Sequence, residues 1–390
     1  MNTFLYVLLT LFLLSIMVVI HELGHFLFAK LFKVTVLEFS IGMGPAIYTT
    51  KKKDKKNDKL GETFHSEECC DKIETKDLEE VADSDNQKTV FSVRAFPIGG
   101  YVSMAGEGEA STDINAFCNK PVWQRFIITF AGAAMNILLG FLCMCILVGV
   151  DSANGALSST TVAEFCVYEE NQAPIFNETL SDKCENPLMV GDTIVKIGGT
   201  KVYTGSEVVY EIMNKGYEPI DLVIKRNGET ITLENVIFPV IEESGVKFGH
   251  IDFKVYAEKT DAGTIIKHSL HRSVSTVKMI TDSIKDMLTG RYGAEAVSGP
   301  IGMAGAVENA ANNGMSSILF LFTLITINLG VFNLLPFPAL DGGRIIFLAI
   351  EGIIRKPVKK EVEQAVNTAG IMLLMALMLF ITLKDIINLF

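Results

Sequence analysis

Four stretches of the chain are apolar over roughly 20 residues or more, which is the length that crosses the hydrocarbon core of a bilayer as a helix. The first stretch has no basic start and no small-residue cleavage site after it, so we interpret it as a retained helix and not as a signal peptide. The pattern therefore predicts a polytopic α-helical membrane protein with four transmembrane helices. The four stretches cover residues 4–29, 126–150, 315–335 and 368–390.

The segments between these stretches divide the chain further. Membrane and aqueous segments alternate, and the longest aqueous region with regular apolar runs fits one domain of about 100 residues. The expected segments are a first transmembrane helix (1–35), a cytoplasmic-side β element (36–120) with a charged insertion (51–88), a second transmembrane helix (121–150), an outer domain (157–255), an amphipathic outer linker (256–314), a third transmembrane helix (315–345), a cytoplasmic loop (346–367) and a fourth transmembrane helix (368–390).

Composition agrees with this division. Of the 390 residues, 49% are hydrophobic and 20% are charged, so apolar and charged residues must occupy different parts of the chain. The net charge of -11 forms no basic stripe, which argues against nucleic acid as a partner. The seven cysteines form no C-x-x-C pair, which argues against a zinc ribbon.

Lysine and arginine near the apolar stretches predict the orientation in the membrane. Basic residues follow the first span, precede the second and lie between the third and fourth, and loops with this excess face the cytoplasm. Both termini and the segment 151–314 are therefore expected on the extracytoplasmic side. The basic residues are Lys30, Lys33, Lys120, Arg125, Arg344, Arg355, Lys356, Lys359 and Lys360, and the run KKKDKKNDKL at 51–60 adds to them.

The first apolar stretch contains IHELGHFLF at residues 20–28. His21 and His25 are four residues apart, so on a helix they share a face and can hold one metal ion. Glu22 beside them is a candidate general base for hydrolysis at a bound zinc ion. The string also arises by chance in soluble helices. Inside a membrane, however, each ionisable group costs roughly 2.5–3.5 kcal/mol, so this cluster requires a partner such as a metal.

Catalytic zinc usually has three protein ligands, so a third ligand must come from elsewhere. Asp341 is a better candidate than the remaining histidines, because it lies in NLLPFPALDGG (333–343) at the expected cytoplasmic end of the third span. Two prolines break the helix there and expose backbone groups that lipid cannot satisfy, so the stretch should line a cavity. By itself the stretch is equally consistent with an ordinary helix end and turn.

Together the two motifs identify a family. HELGH in the first transmembrane helix with NLLPFPALDG at the end of a later one resembles the site-2 protease family of intramembrane metalloproteases, and specifically its bacterial regulator-of-sigma-E protease branch. The resemblance covers nearly the whole chain and includes further motifs in the same order. These are SIGMGP (40–45), FPIGGYVSMAGE (96–107), KPVWQRFIITFAGAAMN (120–136) and SGPIG (298–302).

The resemblance implies an intramembrane zinc endopeptidase in a bacterial cell membrane. His21, His25 and Asp341 would be the Zn²⁺ ligands and Glu22 the general base. Asn333 would hold the substrate or polarise its carbonyl, and Pro336 and Pro338 would shape the wall of the site. The substrates implied are single-span membrane proteins of the anti-sigma factor type or remnant signal peptides.

Residues 90–104 (VFSVRAFPIGGYVSM) have the β-favouring composition and the internal Pro and Gly-Gly of a strand or hairpin. In the family such a stretch looks like a re-entrant β element beside the active site. An exposed strand edge there, including Gly99 and Gly100, would bind an unwound substrate through backbone hydrogen bonds. A plain surface hairpin is the alternative.

The outer region 157–255 has the order of strands and helix that resembles a PDZ domain. Such a domain binds peptides at a sheet edge, although here it could serve only as a spacer. Cys166 and Cys184 bracket an enlarged loop and are a candidate disulfide on the oxidising side. Residues 263–290 have the apolar spacing of an amphipathic helix, and we expect its His268 and His271 on a solvated face and not as metal ligands.

Two other functions remain open at the level of sequence. A catalytically silent PDZ scaffold would be expected to have a broken motif, whereas His21, Glu22, His25 and Asp341 are all present. A membrane-tethered peptidase acting on soluble peptides is disfavoured by the position of the ligands within the membrane. The insertion 51–88 is rich in both charges and receives no function, and its Cys69 and Cys70 are expected to be a reduced pair.

Overall fold

The computed structural model describes residues 3–50, 89–107, 111–153, 155, 157–165, 188–243, 246–291 and 299–387. The charged insertion, with Cys69 and Cys70, lies outside the described residues. The same holds for Cys166 and Cys184, so the disulfide between them stays a prediction.

The described residues form eight α-helices and ten β-strands. The helices are α1 (Thr3–Leu31), α2 (Val122–Ala153), α3 (Gly205–Lys215), α4 (Ala262–Thr289), α5 (Pro300–Asn312), α6 (Met315–Asn333), α7 (Asp341–Ile354) and α8 (Lys360–Ile387). The strands are β1 (Val36–Thr49), β2 (Val90–Met104), β3 (Ser158–Phe165), β4 (Thr193–Ile197), β5 (Thr200–Lys201), β6 (Ile220–Arg226), β7 (Glu229–Val236), β8 (Val240–Glu243), β9 (Val246–Gly249) and β10 (Phe253–Ala257).

Four of the described helices are long and apolar enough to cross a membrane, which confirms the expected polytopic membrane protein. The candidate membrane spans are Leu5–Leu31, Val122–Ala153, Met315–Asn333 and Glu361–Asp385. The fourth helix begins at Lys360, earlier than the expected residue 368. Its first two turns are polar, and hydropathy alone does not detect a polar extension of an apolar helix.

Two expected connections contain helices instead. The predicted loop 346–367 is wrong over its first part, because α7 continues to Ile354. The linker 256–314 contains α5 in addition to α4. The α5 segment is rich in Ala and Gly and has little periodicity, so its helix depends on packing. At the end of α5, Asn312 accepts a hydrogen bond from Tyr6 of α1. At the start of α5, the backbone N–H groups of Gly299 and Gly302 donate to Asp385 of α8.

Two compact units make up the chain. The first comprises residues Met1–Leu139, Ser298–Asn312 and Asn328–Phe390, and the second comprises Gly140–Val297 and Asn313–Ile327. The first unit contains the β element expected at 36–120. In it, β1 residues 38–41 pair on one side with β2 residues 100–103 and on the other with β2 residues 90–93. The chain turns back at Gly42 and Gly44, whose φ angles of 86° and 88° favour glycine.

The second unit contains the outer domain as an antiparallel sheet. The strand order is β10-β3-β4-β6-β7, with β5 paired to β4, and β8 and β9 form a separate hairpin. Apolar residues of the sheet and of α3, including Val208 and Ile212, form one buried core. Thr204 caps α3 by accepting from the backbone of Glu207. The protein is therefore a membrane protein with a β domain.

Helix α4 confirms the helix expected at 263–290, but its histidines do not lie on an open face. His268 is 2% exposed and its Nε2 lies 2.8 Å from a carboxylate oxygen of Glu258. The His271 ring stacks on Tyr203 with centroids 4.5 Å apart, and its Nδ1 lies 3.5 Å from Glu207. The solvated face is therefore wrong for His268, which is buried beside Glu258, whereas His271 stays partly exposed beside Glu207 of α3.

Helices α1 and α2 approach each other closely at Gly24. A Cβ atom there would lie 2.4 Å from the carbonyl oxygen of Ala131 and 2.8 Å from Cγ of Met135. Real Cβ atoms do not approach a backbone oxygen this closely, so only glycine permits this crossing. The contact involves the turn of α1 that contains HELGH.

Replacing Gly24 by alanine should therefore destabilise the protein by about 1–3 kcal/mol, because the added methyl group forces the two helices apart. Gly149, also within a membrane helix, is the matched control, since a Cβ there meets nothing within 4 Å. The measurement is the midpoint of thermal unfolding in detergent. Equal midpoints for Gly24→Ala and Gly149→Ala would contradict the close crossing.

Candidate metal centre

Three side chains from two separate parts of the sequence meet inside the first unit. His21 Nε2 and His25 Nε2 are 3.2 Å apart, and Oδ2 of Asp341 lies 3.0 Å from the first nitrogen and 3.4 Å from the second. The three side chains are between 10% and 18% exposed. Among the described residues this is the one group of three histidine, cysteine or carboxylate ligands that could hold a metal ion.

The arrangement of these atoms fits a bound cation. Oδ2 of Asp341 is buried and has no hydrogen bond of acceptable geometry to any described group, even though both imidazoles are near it. A carboxylate oxygen and two imidazole nitrogens suit zinc, for which ligand bonds of about 2.0–2.1 Å at tetrahedral angles separate the ligand atoms by roughly 3.3 Å. The three observed separations are close to that value.

The position of Asp341 in its helix suits a metal ligand. Asp341 is in the first turn of α7, where the helix dipole favours a negative charge. The helix dipole therefore favours the carboxylate form of this side chain.

Helix α2 forms the surface against which the histidines pack. A Cβ at Gly132 would lie 2.4 Å from His25 Nε2 and 2.8 Å from His21 Nε2, so the rings occupy the space that a side chain would take. One turn earlier, the carbonyl oxygen of Ile128 lies 2.8 Å from His25 Nδ1 and accepts its hydrogen. That hydrogen bond leaves Nε2 of His25 unprotonated and able to bind a metal.

Asp341 is positioned by the tight packing of the segment around it. Chain residues 334–340 fold back on the start of α7, and a Cβ at Gly342 would lie 2.0 Å from the carbonyl oxygen of Leu335. Two ion pairs hold α7 in place. Arg344 binds Glu107, which follows β2, and Glu351 binds Arg125 at the start of α2.

Glu22 makes a contact with the β element. Its Oε2 accepts a hydrogen bond of 3.0 Å from the backbone N–H of Val102 in β2. Since β1 covers the other edge of the 100–103 stretch, this edge of β2 faces α1. The candidate base thus lies between the histidines of its own helix and an edge strand.

The other residues predicted to bind substrate lie in β2 and around the end of α6. Gly100 is close, since a Cβ there would be 3.8 Å from Cγ of Glu22, whereas Gly99 lies against Met43. Pro338 packs on Gly370 of α8, and Pro336 is exposed after α6. Asn333 is the half-buried last residue of α6.

The contribution of α2 has only a weak signal in the sequence. The motif at 120–136 does not by itself assign roles to Ile128, Gly132 and Asn136. These residues are four apart and lie on one face of a helix, and the glycine and asparagine repeated at this spacing in an apolar span are the one signal of their role. The backbone donor at Val102 has no sequence signal.

Comparison with known proteins shows which family the chain resembles. The family model described as Peptidase family M50 matches residues 9–58 and 78–377. A Clostridium perfringens protein named "Putative zinc metalloprotease" is 32% identical over 383 residues, 98% of each chain. The Shouchella clausii "Zinc metalloprotease RasP" is 28% identical, covering 96% of this chain and 97% of its own. The Bacillus subtilis "Regulator of sigma-W protease RasP" is 27% identical over 96% of both.

Changing Gly132 to alanine should weaken zinc binding about 10- to 100-fold, because the new methyl group displaces both imidazoles from their positions. The measurement is competition for zinc with a chromophoric chelator, using the purified full-length protein. Gly149→Ala is the control, since it adds the same methyl group to α2 where no atom lies within 4 Å. Zinc affinity unchanged in Gly132→Ala would show that the rings do not need this surface.

Proposed function

The chain belongs to Peptidase family M50, the site-2 protease family of zinc metalloproteases, and we propose that it cleaves peptide bonds of single-span membrane proteins within the membrane. One observation carries this proposal. The ligand atoms of His21, His25 and Asp341 all lie within 4.8 Å of one another. The two histidines and Glu22 belong to α1, a helix that is apolar enough to span a bilayer.

In this proposal His21, His25 and Asp341 hold the zinc ion and Glu22 is the general base. When bound, zinc polarises a carbonyl and lowers the pKa of water towards neutrality. Glu22 would accept a proton from the attacking water and return it to the leaving amine. The hydrogen bond from Val102 to Oε2 fixes the carboxylate rotamer, so that Oε1 is the oxygen available for this proton.

The edge of β2 supports binding of the substrate as an added strand. A transmembrane helix hides its carbonyl groups in internal hydrogen bonds, so it must unwind before cleavage. Val102 and Gly100 are two residues apart in a strand, so their backbone groups point to the same edge, next to Glu22. A strand added there would gain backbone hydrogen bonds with little selection of side chains, which suits many substrates.

Asn333 and Pro336 are proposed to contact the substrate near Asp341. Asn333 ends α6 and the following prolines interrupt helical hydrogen bonding, so backbone groups become available at this point. Pro338 has a different proposed role. Its packing on Gly370 of α8 holds the segment that carries Asp341 against the fourth membrane helix.

We also propose the orientation that the basic residues indicate. Lys30, Lys33 and Arg125 lie at the ends of α1 and α2 that carry or contact the metal centre, and such residues favour the cytoplasmic side. The active site would then face the cytoplasm, with both termini and the outer domain on the extracytoplasmic side of a bacterial membrane.

The outer domain is proposed to be PDZ-like and to admit or exclude substrates. Its antiparallel sheet with one capped helix fits that fold class, and peptide binding at a sheet edge is the mode such domains use. Substrates of the anti-sigma factor type, and remnant signal peptides, are proposed because they retain one span after outer trimming. A relative named for regulation of sigma-W supports the first class.

The proposed catalytic role of Glu22 is tested by Glu22→Gln. This variant should retain zinc, because the three ligands are unchanged, and should lose cleavage by at least about 1000-fold, because the amide cannot accept the proton. Single-span proteins that accumulate in cells carrying Glu22→Gln are identified by mass spectrometry after crosslinking. Each is then incubated with purified wild-type protein in detergent.

Two controls accompany this experiment. Asp341→Ala should lose both zinc and cleavage, which separates loss of the metal from loss of the base. Cleavage by Glu22→Gln at the wild-type rate would mean that this residue is not the base. Accumulation of the same proteins in cells expressing the wild type would remove the support for them as substrates.

The contact between β2 and Glu22 is tested by Val102→Pro. Proline has no N–H to donate, so the Glu22 carboxylate loses its orientation and cleavage should fall about 10- to 100-fold with zinc content unchanged. Val102→Ala is the control, because it shortens the side chain and keeps the N–H. Full activity in Val102→Pro would show that this hydrogen bond does not position the base.

A further inference from the structure

Asn136 is a fully buried asparagine on α2, at 0% exposure. Its side-chain nitrogen lies 3.3 Å from Nδ1 of His21. Its side-chain oxygen, Oδ1, is buried and has no hydrogen-bond partner among the described residues. An uncompensated amide oxygen inside a membrane span costs free energy, so this arrangement requires a physical reason.

The two ends of an asparagine amide exchange places when the group rotates by 180°, so either the nitrogen or the oxygen can face Nδ1 of His21. With the nitrogen towards His21, the amide donates to Nδ1 and the imidazole hydrogen must lie on Nε2. With Oδ1 towards His21, Nδ1 carries the hydrogen and donates to it. The second arrangement pairs Oδ1 with the imidazole, and it is the only one of the two that leaves Nε2 of His21 with a free lone pair.

That lone pair is what the metal centre needs, since Nε2 of His21 is the atom near Asp341 and His25. We propose that Asn136 is a positioning residue that accepts the Nδ1 hydrogen of His21 through Oδ1 and so fixes the ring in its metal-binding tautomer. This inference rests on the proposed function, which makes His21 a zinc ligand.

Helix α2 provides an oxygen acceptor for the Nδ1 hydrogen of the other histidine, His25, as well. The carbonyl oxygen of Ile128 accepts from Nδ1 of His25, and Gly132 makes space for both rings. Ile128, Gly132 and Asn136 are successive members of one face, four residues apart. Each imidazole of the pair therefore has its own oxygen acceptor on α2, one from the backbone and one from a side chain.

Variants that keep or remove the acceptor test this assignment. Asn136→Asp keeps an oxygen acceptor at the same place, and Asn136→Ala removes it. Thr129→Ala is the control on the same helix, because Thr129 is also buried, at 3% exposure, but its hydroxyl donates to the carbonyl oxygen of Arg125 in its own helix. Zinc affinity of the purified full-length protein is measured by competition with a chromophoric chelator, and metal-free proteins are compared by thermal unfolding.

We expect Asn136→Ala to bind zinc about 10- to 100-fold more weakly than the wild type. Asn136→Asp and Thr129→Ala should remain within about threefold of it. Asn136→Asp is decisive, because a carboxylate cannot donate to Nδ1 as the amide nitrogen would. Weak binding by both Asn136 variants, or unchanged binding by Asn136→Ala, would overturn the assignment.

A measurement on the wild type does not depend on how the variants fold. In protein labelled with ¹⁵N at histidine and loaded with zinc, the His21 signals, assigned by their loss in His21→Ala, should show a protonated Nδ1. A protonated Nε2 would overturn the proposal. Failure of the metal site itself has a different signature, since zinc affinity would then be the same in wild type and Asp341→Ala.

Discussion

The close approach of α1 and α2 is the constraint on which the rest of the structure depends. Gly24 lets the two backbones touch at Ala131, and Gly132 lets the imidazoles of His21 and His25 lie directly on α2. At this distance a backbone carbonyl and an asparagine reach the histidine rings. The energetic reason is the low polarity of the surroundings, where each ionisable group must find a partner within the protein. A wider crossing would leave the two histidines without one.

Asp341 meets this requirement from a distant part of the sequence. Its placement needs the break after α6, the tight return of the chain over Gly342 and two ion pairs that tie α7 to the β element and to α2. These ion pairs are mostly shielded from solvent, so breaking one leaves an uncompensated charge. The first part of the predicted loop 346–367 therefore belongs to a helix, and that helix begins at Asp341, the candidate third metal ligand.

The β element connects the proposed substrate-binding edge to the candidate general base, Glu22, through a hydrogen bond. One stretch of β2 is covered by β1 on one edge and faces Glu22 on the other, so the candidate base is bonded to the strand edge that is proposed to bind substrate. A strand edge has unpaired donors and acceptors, and each of them needs a partner where the edge is buried. The carboxylate of Glu22 satisfies one of them, and the same bond holds the carboxylate in place.

The sequence by itself predicted the four membrane spans, the candidate metal ligands His21, His25 and Asp341, and the family. The spans follow from local composition and the histidine pair from a spacing of one helical turn, whereas Asp341 and the family follow from the resemblance of short motifs. Only the tertiary structure decided that α5 and α7 are helices, that His268 is buried against Glu258, and that Ile128, Gly132, Asn136 and Val102 surround the site. Those features depend on contacts between residues far apart in the chain, and on backbone donors and acceptors that every residue carries, so no local pattern distinguishes them.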